Sequence, residues 1–368
     1  MRPEDTVARL GGDEFTILLE DISGLEDAKR AAHRILNALR VSFDIGGREV
    51  LANVSSGIAP TTALSDEPQE LLRRADLALY EAKKAGKAGF EVFEEGVIAP
   101  SRDRLELENS LRRAVERGEL KIYYHPKLSA RTGKISSMEA LVRWEHPERG
   151  LLEPEDFLPT AEASGLILEV GEWVLGEVCR QGAAWYQRYP QHPPIRVCTN
   201  VSARQLWRGD FAAKVVEALR RTGLEAQGLS LEIAEEVLID GSEATIGKLQ
   251  ELKDLGLHIV VQNFGVAHSS LVRLKRYPLN YMKIDRSLVV GLDKEPESAA
   301  IVEATISLAH ALGWAVTAHG VETAGQLARL QELGCDLVQG YYFSRPIVVE
   351  EATALLQADF DRRQESKA

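Results

Sequence analysis

Eight short apolar runs, rich in β-branched residues, recur along the chain between residues 121 and 343. Amphipathic segments with helical spacing, such as 243–255 and 299–312, separate most of them. This alternation predicts βα units around a mainly parallel sheet. Eight units in about 250 residues fit an α/β fold of the (βα)8 barrel type in number and length. The runs are KIYYHPKL, SMEALVRW, RVCTNVSA, LSLEIAE, HIVVQNF, YMKIDRSL, AVTAHGV and LVQGYYF.

Polar side chains stand towards the C-terminal ends of these runs. In a barrel of parallel strands, chemistry is located where the strands end and the following loops begin. We therefore expect these side chains to converge on one face of the barrel and to form the functional site. They are Glu139, Asn200, Glu232, Gln262, Asn263, Lys283, His319 and Gln339.

The first hundred residues show a different pattern, in which Gly-Gly pairs separate apolar runs. Gly11-Gly12 predicts a tight hairpin, because glycine adopts positive φ angles without steric cost. Gly46-Gly47 predicts a second hairpin that extends to about Ile58. Apolar residues at helical spacing predict helices over 25–39 and from 71 to about 86.

A charged, amphipathic stretch at 101–119 predicts a helix that joins two domains. Ser101 is a suitable N-cap, and Gly118 is a suitable C-terminal stop. We expect the chain to divide into a first domain at 1–97, a linker helix at 98–118, the barrel at 119–358 and a polar C-terminal tail at 359–368.

Charge and composition limit the possible partners. The chain has 44 Lys and Arg against 56 Asp and Glu, so its formal net charge is −12. This balance disfavours binding to a nucleic acid polymer or an anionic membrane, so an anionic ligand needs a local cationic site. Cys179, Cys198 and Cys335 lie in apolar stretches and form no CxxC pair, which favours places in the core. Without a membrane-length apolar run or a signal peptide, we expect a cytoplasmic protein.

Two strings carry a family resemblance. RPEDTVARLGGDEF at 2–15 resembles the signature of GGDEF domains, which make cyclic di-GMP from two GTP molecules. SMEALVRW at 137–144 resembles the EAL signature of cyclic di-GMP phosphodiesterases. The strings NVSARQL, LEIAEE, LKRYPLNYMKIDRSLV, HGVET and QGYYFSRPI extend the EAL resemblance through the remaining chain. The resemblance implies a bacterial signalling protein with a partial α/β GGDEF domain, followed by an EAL barrel with one reversed strand.

The GGDEF resemblance covers the C-terminal part of such a domain. The signature residues are Gly11, Gly12, Asp13, Glu14 and Phe15, and the two carboxylates can bind Mg²⁺. Arg2 and Asp5 match the spacing of the family's inhibitory RxxD site for cyclic di-GMP, although two solvated charges would give the same pattern. We do not expect cyclase activity, because the upstream wall of the GTP pocket has no counterpart in this sequence.

The EAL resemblance breaks at residues that hydrolysis requires. Active members have an Asp pair where this chain has Gln262 and Asn263, and a Glu where it has His319. By the same resemblance, Glu139, Asn200 and Glu232 remain as metal ligands, and Glu139 and Lys283 remain from the catalytic set. Two glutamates are too few carboxylates for a pair of Mg²⁺ ions, so we predict an impaired catalytic site. The alternative is a rebuilt site that includes His319, with Mg²⁺, Mn²⁺ or a softer ion as cofactor.

Loss of the ions does not by itself abolish binding of the dianion. The resemblance places Leu141, Arg143, His125, Gln339 and Phe343 at the ligand, with Arg143 on a phosphate and Phe343 against a guanine. His125 stands where the family commonly has Gln. In the same family, a Glu matched by Glu235 anchors the loop that couples metal binding to dimerisation. That loop reads Val266-Ala267-His268 here, so its coupling has to work differently.

Three functional hypotheses follow. The first is a receptor or regulatory module that binds cyclic di-GMP without a metal cofactor and acts through a protein partner or a homodimer of the EAL domain. The second is a metal-dependent phosphodiesterase that makes linear pGpG. The third is a scaffold that binds no nucleotide and acts through protein contacts alone.

Overall fold

The structure is a computed structural model, and it describes most of the chain in two compact units, Met1–Leu107 and Glu108–Ala368. None of the helices that it describes has both the length and the apolar character needed to span a bilayer. The described residues are 5–11, 14–20, 22, 24–39, 43–44, 49–50, 54–61, 68–84, 89–93, 102–190, 195–238, 242–264 and 274–365.

The first unit combines short strands with two helices. Its elements in chain order are β1 (Thr6–Gly11), β2 (Glu14–Leu18), α1 (Leu25–Leu39), β3 (Phe43–Asp44), β4 (Glu49–Val50), β5 (Ser56–Ile58), α2 (Pro68–Lys84) and β6 (Phe90–Val92). Strands β1 and β2 pair antiparallel, with Arg9 opposite Phe15, so the first predicted hairpin is confirmed. The two predicted helices are confirmed as α1 and α2.

The second predicted hairpin is shorter than expected. Strands β3 and β4 form an antiparallel pair, but β5 pairs in parallel with β6 and belongs to another sheet. Gly57 explains why β5 lies where it does, because a Cβ there would collide with the backbone of Ala75 and Leu79 on α2. The close approach of helix and strand builds a small core from Leu77, Ala78 and Phe93.

The helix α3 (Arg102–Ala114) lies where the sequence predicts a linking helix. The division between the two units falls inside this helix, after Leu107. Leu107, Leu111 and Ala114 recur at helical spacing and are buried.

The second unit is a closed barrel, and the eight apolar runs supply its eight strands. They are β7 (Leu120–Ser129), β8 (Ile135–His146), β10 (Arg196–Val201), β11 (Leu229–Ala234), β12 (His258–Phe264), β13 (Tyr281–Ile284), β14 (Ala315–His319) and β15 (Leu337–Gln339). The reversed strand is β7, which pairs antiparallel with both β8 and β15. A ninth strand, β9 (Gly150–Leu152), pairs antiparallel with β8 outside the ring, and the sequence analysis missed it.

Helices follow most of the strands and cover the outside of the barrel. They are α4 (Pro154–Ser164), α5 (Ile167–Arg188), α6 (Ala203–Leu206), α7 (Phe211–Thr222), α8 (Glu243–Asp254), α9 (Arg286–Val290), α10 (Pro296–Ala311), α11 (Ala324–Glu332) and α12 (Val349–Glu365). The helical stretches predicted from residues 243 and 299 correspond to α8 and α10. Short 3-10 turns at Ala226–Gly228 and Glu235–Leu238 precede and follow β11.

Two buried tryptophans stabilise the barrel by hydrogen bonds of their indole N–H groups as well as by the apolar surface that they bury. The Trp144 indole on β8 donates to Glu119 Oε2 at 3.0 Å, and the Trp185 indole on α5 donates to Thr353 Oγ1 at 2.9 Å. A buried indole N–H without an acceptor is costly, so these bonds make the positions of both rings specific.

The expectation of a polar tail from residue 359 is wrong over most of its length. Helix α12 continues through Glu365 without a break, and Asp359 is 2% exposed. Arg363 Nε donates to Asp359 Oδ2 at 2.7 Å, one helical turn away. A buried carboxylate needs such a partner, and the same guanidinium donates to the Ile135 carbonyl of β8, which fixes the end of α12 on the barrel.

Candidate functional site

Four buried charges form a continuous chain inside the barrel. Lys283 Nζ on β13 lies 2.7 Å from Glu139 Oε2 on β8 and 3.0 Å from Glu232 Oε2 on β11. Lys127 on β7 donates to the other oxygen of Glu232. Each of these four side chains is at most 5% exposed. We call this set, Lys127, Glu232, Lys283 and Glu139, the charge cluster.

Strand register brings the cluster together. Along β7, Tyr123, His125 and Lys127 alternate inward and lie opposite Leu141, Glu139 and Ser137 of β8. Since successive side chains of a strand point to opposite faces, His125, Lys127 and Glu139 share the barrel interior. Glu232 stands opposite Asn200 of β10 in the neighbouring parallel pair.

The charges of the cluster cancel. Two carboxylates face two ammonium groups, and each carboxylate accepts a hydrogen bond from at least one of them. Burial of an unpaired ion costs several kcal/mol, so this balance is what makes four ions tolerable at this depth.

The pKa values of Glu139 and Lys127 follow from burial and charge. Burial raises the pKa of Glu139, but Lys283 and Lys127 outweigh it and hold the pKa well below its usual range. Burial likewise opposes the charged form of Lys127, yet the nearby anionic groups, Glu232 and Glu139 among them, raise its pKa above the ordinary value. Glu139 and Lys127 therefore both carry their charge at neutral pH.

Two amides extend the cluster through Glu139. Asn200 Nδ2 donates to Glu139 Oε1 at 3.3 Å, and Gln339 Nε2 donates to Glu139 Oε2 at 2.8 Å. Gln339 is fully buried, and its Oε1 has no hydrogen-bond partner among the described residues. A buried acceptor without a donor is costly, so this oxygen is a place where a water molecule or a ligand donor would be stabilised.

Two histidines lie next to the cluster, and both are neutral at pH 7. His125 Nε2 donates to the Ser344 carbonyl at 3.0 Å, and its ring centroid is 6.4 Å from that of His319. Burial and then the charge of Lys283 lower the pKa of His319 to about 4. Burial also lowers the pKa of His125. Neither ring adds a cation that would attract a phosphate.

The mouth of the barrel carries an arginine and several aromatic rings. Arg143, four residues beyond Glu139 on β8, is 6% exposed and has its guanidinium 5.6 Å from the Tyr123 ring centroid. Tyr341 is 52% exposed, and Arg345 lies 4.7 Å from its ring centroid. Phe343 is half-buried and packs edge-on against Tyr342 at 5.1 Å. Leu141 is half-buried between Glu139 and Arg143.

The donor set does not fit a pair of divalent metal ions. Mg²⁺ depends on carboxylate ligands, and both carboxylates of the cluster already have ammonium partners. Gln262, half-buried on β12, offers a neutral amide. In the part of the chain that the structure describes, no three His, Cys, Asp or Glu side chains are grouped so that they could hold a metal ion. Glu139, Glu232 and His319, the residues offered for a rebuilt metal site, therefore do not form such a group.

The structure thus brings together most residues that the sequence analysis assigned to the site. Glu139, Glu232 and Lys283 are joined through ion pairs, and Asn200 and Gln339 are hydrogen-bonded to them. Glu235 is buried in the 3-10 turn after β11. Asn263 belongs to β12 by its backbone, Gly11 and Glu14 belong to the β1–β2 hairpin, Phe15 is exposed and Asp5 is half-buried. Arg2, Gly12, Asp13, Val266, Ala267 and His268 lie outside the described residues.

Sequence reasoning missed Lys127. The polar residues predicted to converge on the site stand near the C-terminal ends of runs expected to be parallel strands, whereas Lys127 belongs to the reversed strand β7. A signal was present, because a lysine two residues after His125 in an apolar run must share its face. Only the observed register shows that this face is the barrel interior.

Comparison with known proteins agrees with this architecture. The EAL domain family matches residues 108–346, which is most of the chain. The chain belongs to the EAL-domain family. The family described as diguanylate cyclase, GGDEF domain matches residues 1–89. Both halves of the family resemblance seen in the sequence are therefore confirmed for this GGDEF–EAL chain.

Curated relatives align with nearly the whole chain and are themselves longer. The EAL chain is 38% identical over 354 residues to the bifunctional diguanylate cyclase/cyclic di-GMP phosphodiesterase MucR of Pseudomonas aeruginosa, covering 96% of this chain and 51% of MucR. It is 37% identical over 345 residues to the cyclic di-GMP phosphodiesterase PdeR of Escherichia coli, covering 94% and 51%. The chain thus spans about half the length of these curated relatives.

A solved structure supports the barrel. The PaMucR phosphodiesterase in its c-di-GMP complex matches with a TM-score of 0.64 and 39% identity, over 67% of this chain and 99% of that chain. The barrel of this chain therefore shares its fold with that phosphodiesterase.

Proposed function

We propose that the EAL domain of this chain binds cyclic di-GMP without a metal ion and does not hydrolyse it. The charge balance of the cluster is the observation that carries the proposal. Glu139 and Glu232 are matched by Lys283 and Lys127, so the site has no excess negative charge to attract divalent cations.

The same balance favours a dianionic ligand. Cyclic di-GMP has two phosphodiester charges, and bare carboxylates at the site would repel them in the absence of metal. Here the carboxylates are neutralised internally, and Arg143 at the mouth is a guanidinium that can bind a phosphate in bidentate fashion. Exposed Tyr341 and half-buried Phe343 offer ring faces or edges to guanine bases.

Hydrolysis lacks its chemical requirements among the described residues of the site. The water molecule that attacks the phosphodiester needs activation, either by a metal ion or by a base whose pKa is near the working pH. The Glu139 carboxylate is held by Lys283, with its pKa lowered well below the usual range, and the pKa of His319 is about 4. Neither group is a base adjusted to neutral pH.

A binding-only domain has to pass its signal on through protein contact, with a partner protein or with a second copy of this chain. The proposed role is therefore that of a receptor, whose nucleotide occupancy changes what it contacts.

Isothermal titration with cyclic di-GMP in EDTA tests this proposal, followed by the same titration with Mg²⁺ and with Mn²⁺. We expect a Kd in the micromolar range, which corresponds to a binding free energy of about −8 kcal/mol. Neither ion should change this Kd. Each mixture is then analysed for linear pGpG. Metal-dependent pGpG formation would instead support a phosphodiesterase, and absence of binding in all three buffers would support a scaffold that binds no nucleotide.

A further inference from the structure

The phosphate-binding arginine of the proposed site is already paired with an acid of this chain. Arg143 Nη2 lies 2.7 Å from Glu153 Oε2. Arg143 Nη1 donates to the Val142 carbonyl at 3.0 Å, and the guanidinium lies beside the Tyr123 ring. The Glu153 carboxylate is thus the one anionic partner that the structure gives Arg143 among the described residues.

The two partners differ strongly in burial. The Arg143 side chain is 8% exposed, whereas the Glu153 side chain is 55% exposed. A buried guanidinium needs a counter-charge, and without ligand Glu153 supplies it. The carboxylate itself remains largely hydrated, so its departure to solvent costs little.

Local structure allows Glu153 to release Arg143 without unfolding. Glu153 is the N-cap of α4, with extended backbone at φ −79° and ψ 160°. Its backbone N–H donates to Asp156 Oδ2 at 2.9 Å, and the Asp156 N–H donates to the Glu153 carbonyl at 3.0 Å. Glu153 and Asp156 form a capping box at this N-terminus, and the two bonds of the Glu153 backbone remain when its side chain turns away from Arg143.

We propose that Glu153 competes with the ligand phosphate for Arg143 and thereby sets the affinity of the nucleotide site. This inference rests on the proposed function, because it takes a phosphate of cyclic di-GMP as the competitor. One anion exchanges for another at the same guanidinium, so the buried charge is balanced in the free state and in the bound state. Removal of the Glu153 carboxylate leaves the phosphate without a competitor for Arg143 and therefore increases the affinity of the site for the nucleotide.

The test compares cyclic di-GMP titrations in EDTA for the wild-type chain and three variants. Glu153→Gln removes the competing charge and keeps the side-chain length. Glu153→Ser removes it with a residue that is favoured at N-caps, so the start of α4 is retained if Gln is not tolerated. Glu155→Gln is the matched control, because Glu155 is an exposed acid in the same first turn of α4 and has no contact with Arg143 in the described structure.

We expect Glu153→Gln and Glu153→Ser to lower the Kd about three- to tenfold, while Glu155→Gln changes it less than twofold. The Kd should also depend more steeply on salt concentration in the two Glu153 variants, because they expose an uncompensated guanidinium to the ligand. A role of Glu153 in helix capping alone would leave the salt dependence unchanged.

Two results would count against these ideas in different ways. If the wild-type chain binds and the Glu153 variants show the same Kd and salt dependence, Glu153 is no competitor and only this inference fails. If neither the wild-type chain nor any variant binds cyclic di-GMP, the proposed function fails and the inference fails with it. Arg143→Gln tests the premise that Arg143 binds the phosphate, and we expect this variant to bind cyclic di-GMP more weakly. Unchanged affinity would show that Arg143 is not the phosphate site.

Discussion

Lys283 Nζ lies 2.7 Å from Glu139 Oε2 inside the barrel, and both side chains are almost fully buried. The same ammonium group reaches Glu232 at 3.0 Å, so one lysine holds the carboxylates of two strands that are not adjacent in the sheet. A charge in this position neutralises the carboxylates that the family resemblance assigns to metal ions. Structure and proposed function therefore depend on the same contact.

Replacing Lys283 should destabilise the barrel strongly. Lys283→Met leaves Glu139 and Glu232 buried with Lys127 as their remaining ammonium partner, and removal of one member of a buried ion pair costs about 3–5 kcal/mol. Urea unfolding of the chain, followed through the second unit, Glu108–Ala368, measures the loss in free energy of unfolding. Lys294→Met, at an exposed lysine, is the control and should change the free energy of unfolding by less than about 0.5 kcal/mol. Equal effects of the two substitutions would contradict a central role for Lys283.

Lys127 and Glu232 should be energetically coupled. Lys127→Met leaves two acids with one lysine, and Glu232→Gln leaves two lysines with one acid, so each single change strands a buried charge. The double variant removes one charge of each sign and should be more stable than the sum of the single effects by at least about 1 kcal/mol. A double-mutant cycle from urea unfolding gives this coupling directly. Additive effects would mean that the contact has no energetic weight.

Most of the barrel could be predicted from the sequence because its signal is local. Each of the eight strands is a continuous apolar run, and the helices between them show regular spacing. Strand β9 was missed because Gly150–Leu152 is only three residues long and largely exposed, with no alternation to detect. The last turns of α12 had a readable signal, since Asp359 and Arg363 stand four residues apart, the spacing of a helical ion pair.

Most members of the site were predictable from the sequence, but Lys127 and the pairings were not. The C-terminal ends of parallel strands identify Glu139, Glu232 and Lys283 without any structure. The contact of Lys127 with Glu232 spans 105 residues and depends on the register of a reversed strand. The pairing of Arg143 with Glu153 depends on the short β8–β9 turn and on where α4 begins, which no sequence periodicity specifies.

Ligands and metal ions should affect thermal stability differently. A ligand that is present at 100 times its Kd and binds only the folded state raises the free energy of unfolding by about 2.7 kcal/mol. Cyclic di-GMP in EDTA should therefore raise the Tm of the unit Glu108–Ala368 by several degrees. Mg²⁺ or Mn²⁺ at millimolar concentration should leave the Tm within about 1 °C, because the carboxylates already have ammonium partners. Differential scanning calorimetry makes both measurements. A metal-induced rise equal to that of the nucleotide would indicate a metal site in the folded chain.

The cysteines should be inert in the folded chain. Cys179, Cys198 and Cys335 are all free and buried, and burial raises the pKa of Cys179 and of Cys335 to about 12. Because the thiolate is the reactive form, a disulfide reagent at pH 8 should modify no thiol within minutes. All three should react once guanidinium chloride has unfolded the chain. Rapid reaction of the folded chain would contradict the assignment of these cysteines to the core.

His319 should make the barrel less stable as the pH falls from 6.5 to 4. Burial and Lys283 lower the pKa of His319 to about 4 in the folded chain, whereas an unfolded histidine titrates near 6.5. Between these values the unfolded state binds a proton that the folded state does not, so the free energy of unfolding decreases as the pH decreases, by about 2–3 kcal/mol over this interval. His319→Gln cannot bind that proton and should show a flatter dependence over this interval in urea unfolding. His310→Gln, which removes an imidazole that is 42% exposed beside Asp336, is the control. A His319→Gln profile as steep as wild type would show that His319 is not buried in its neutral form.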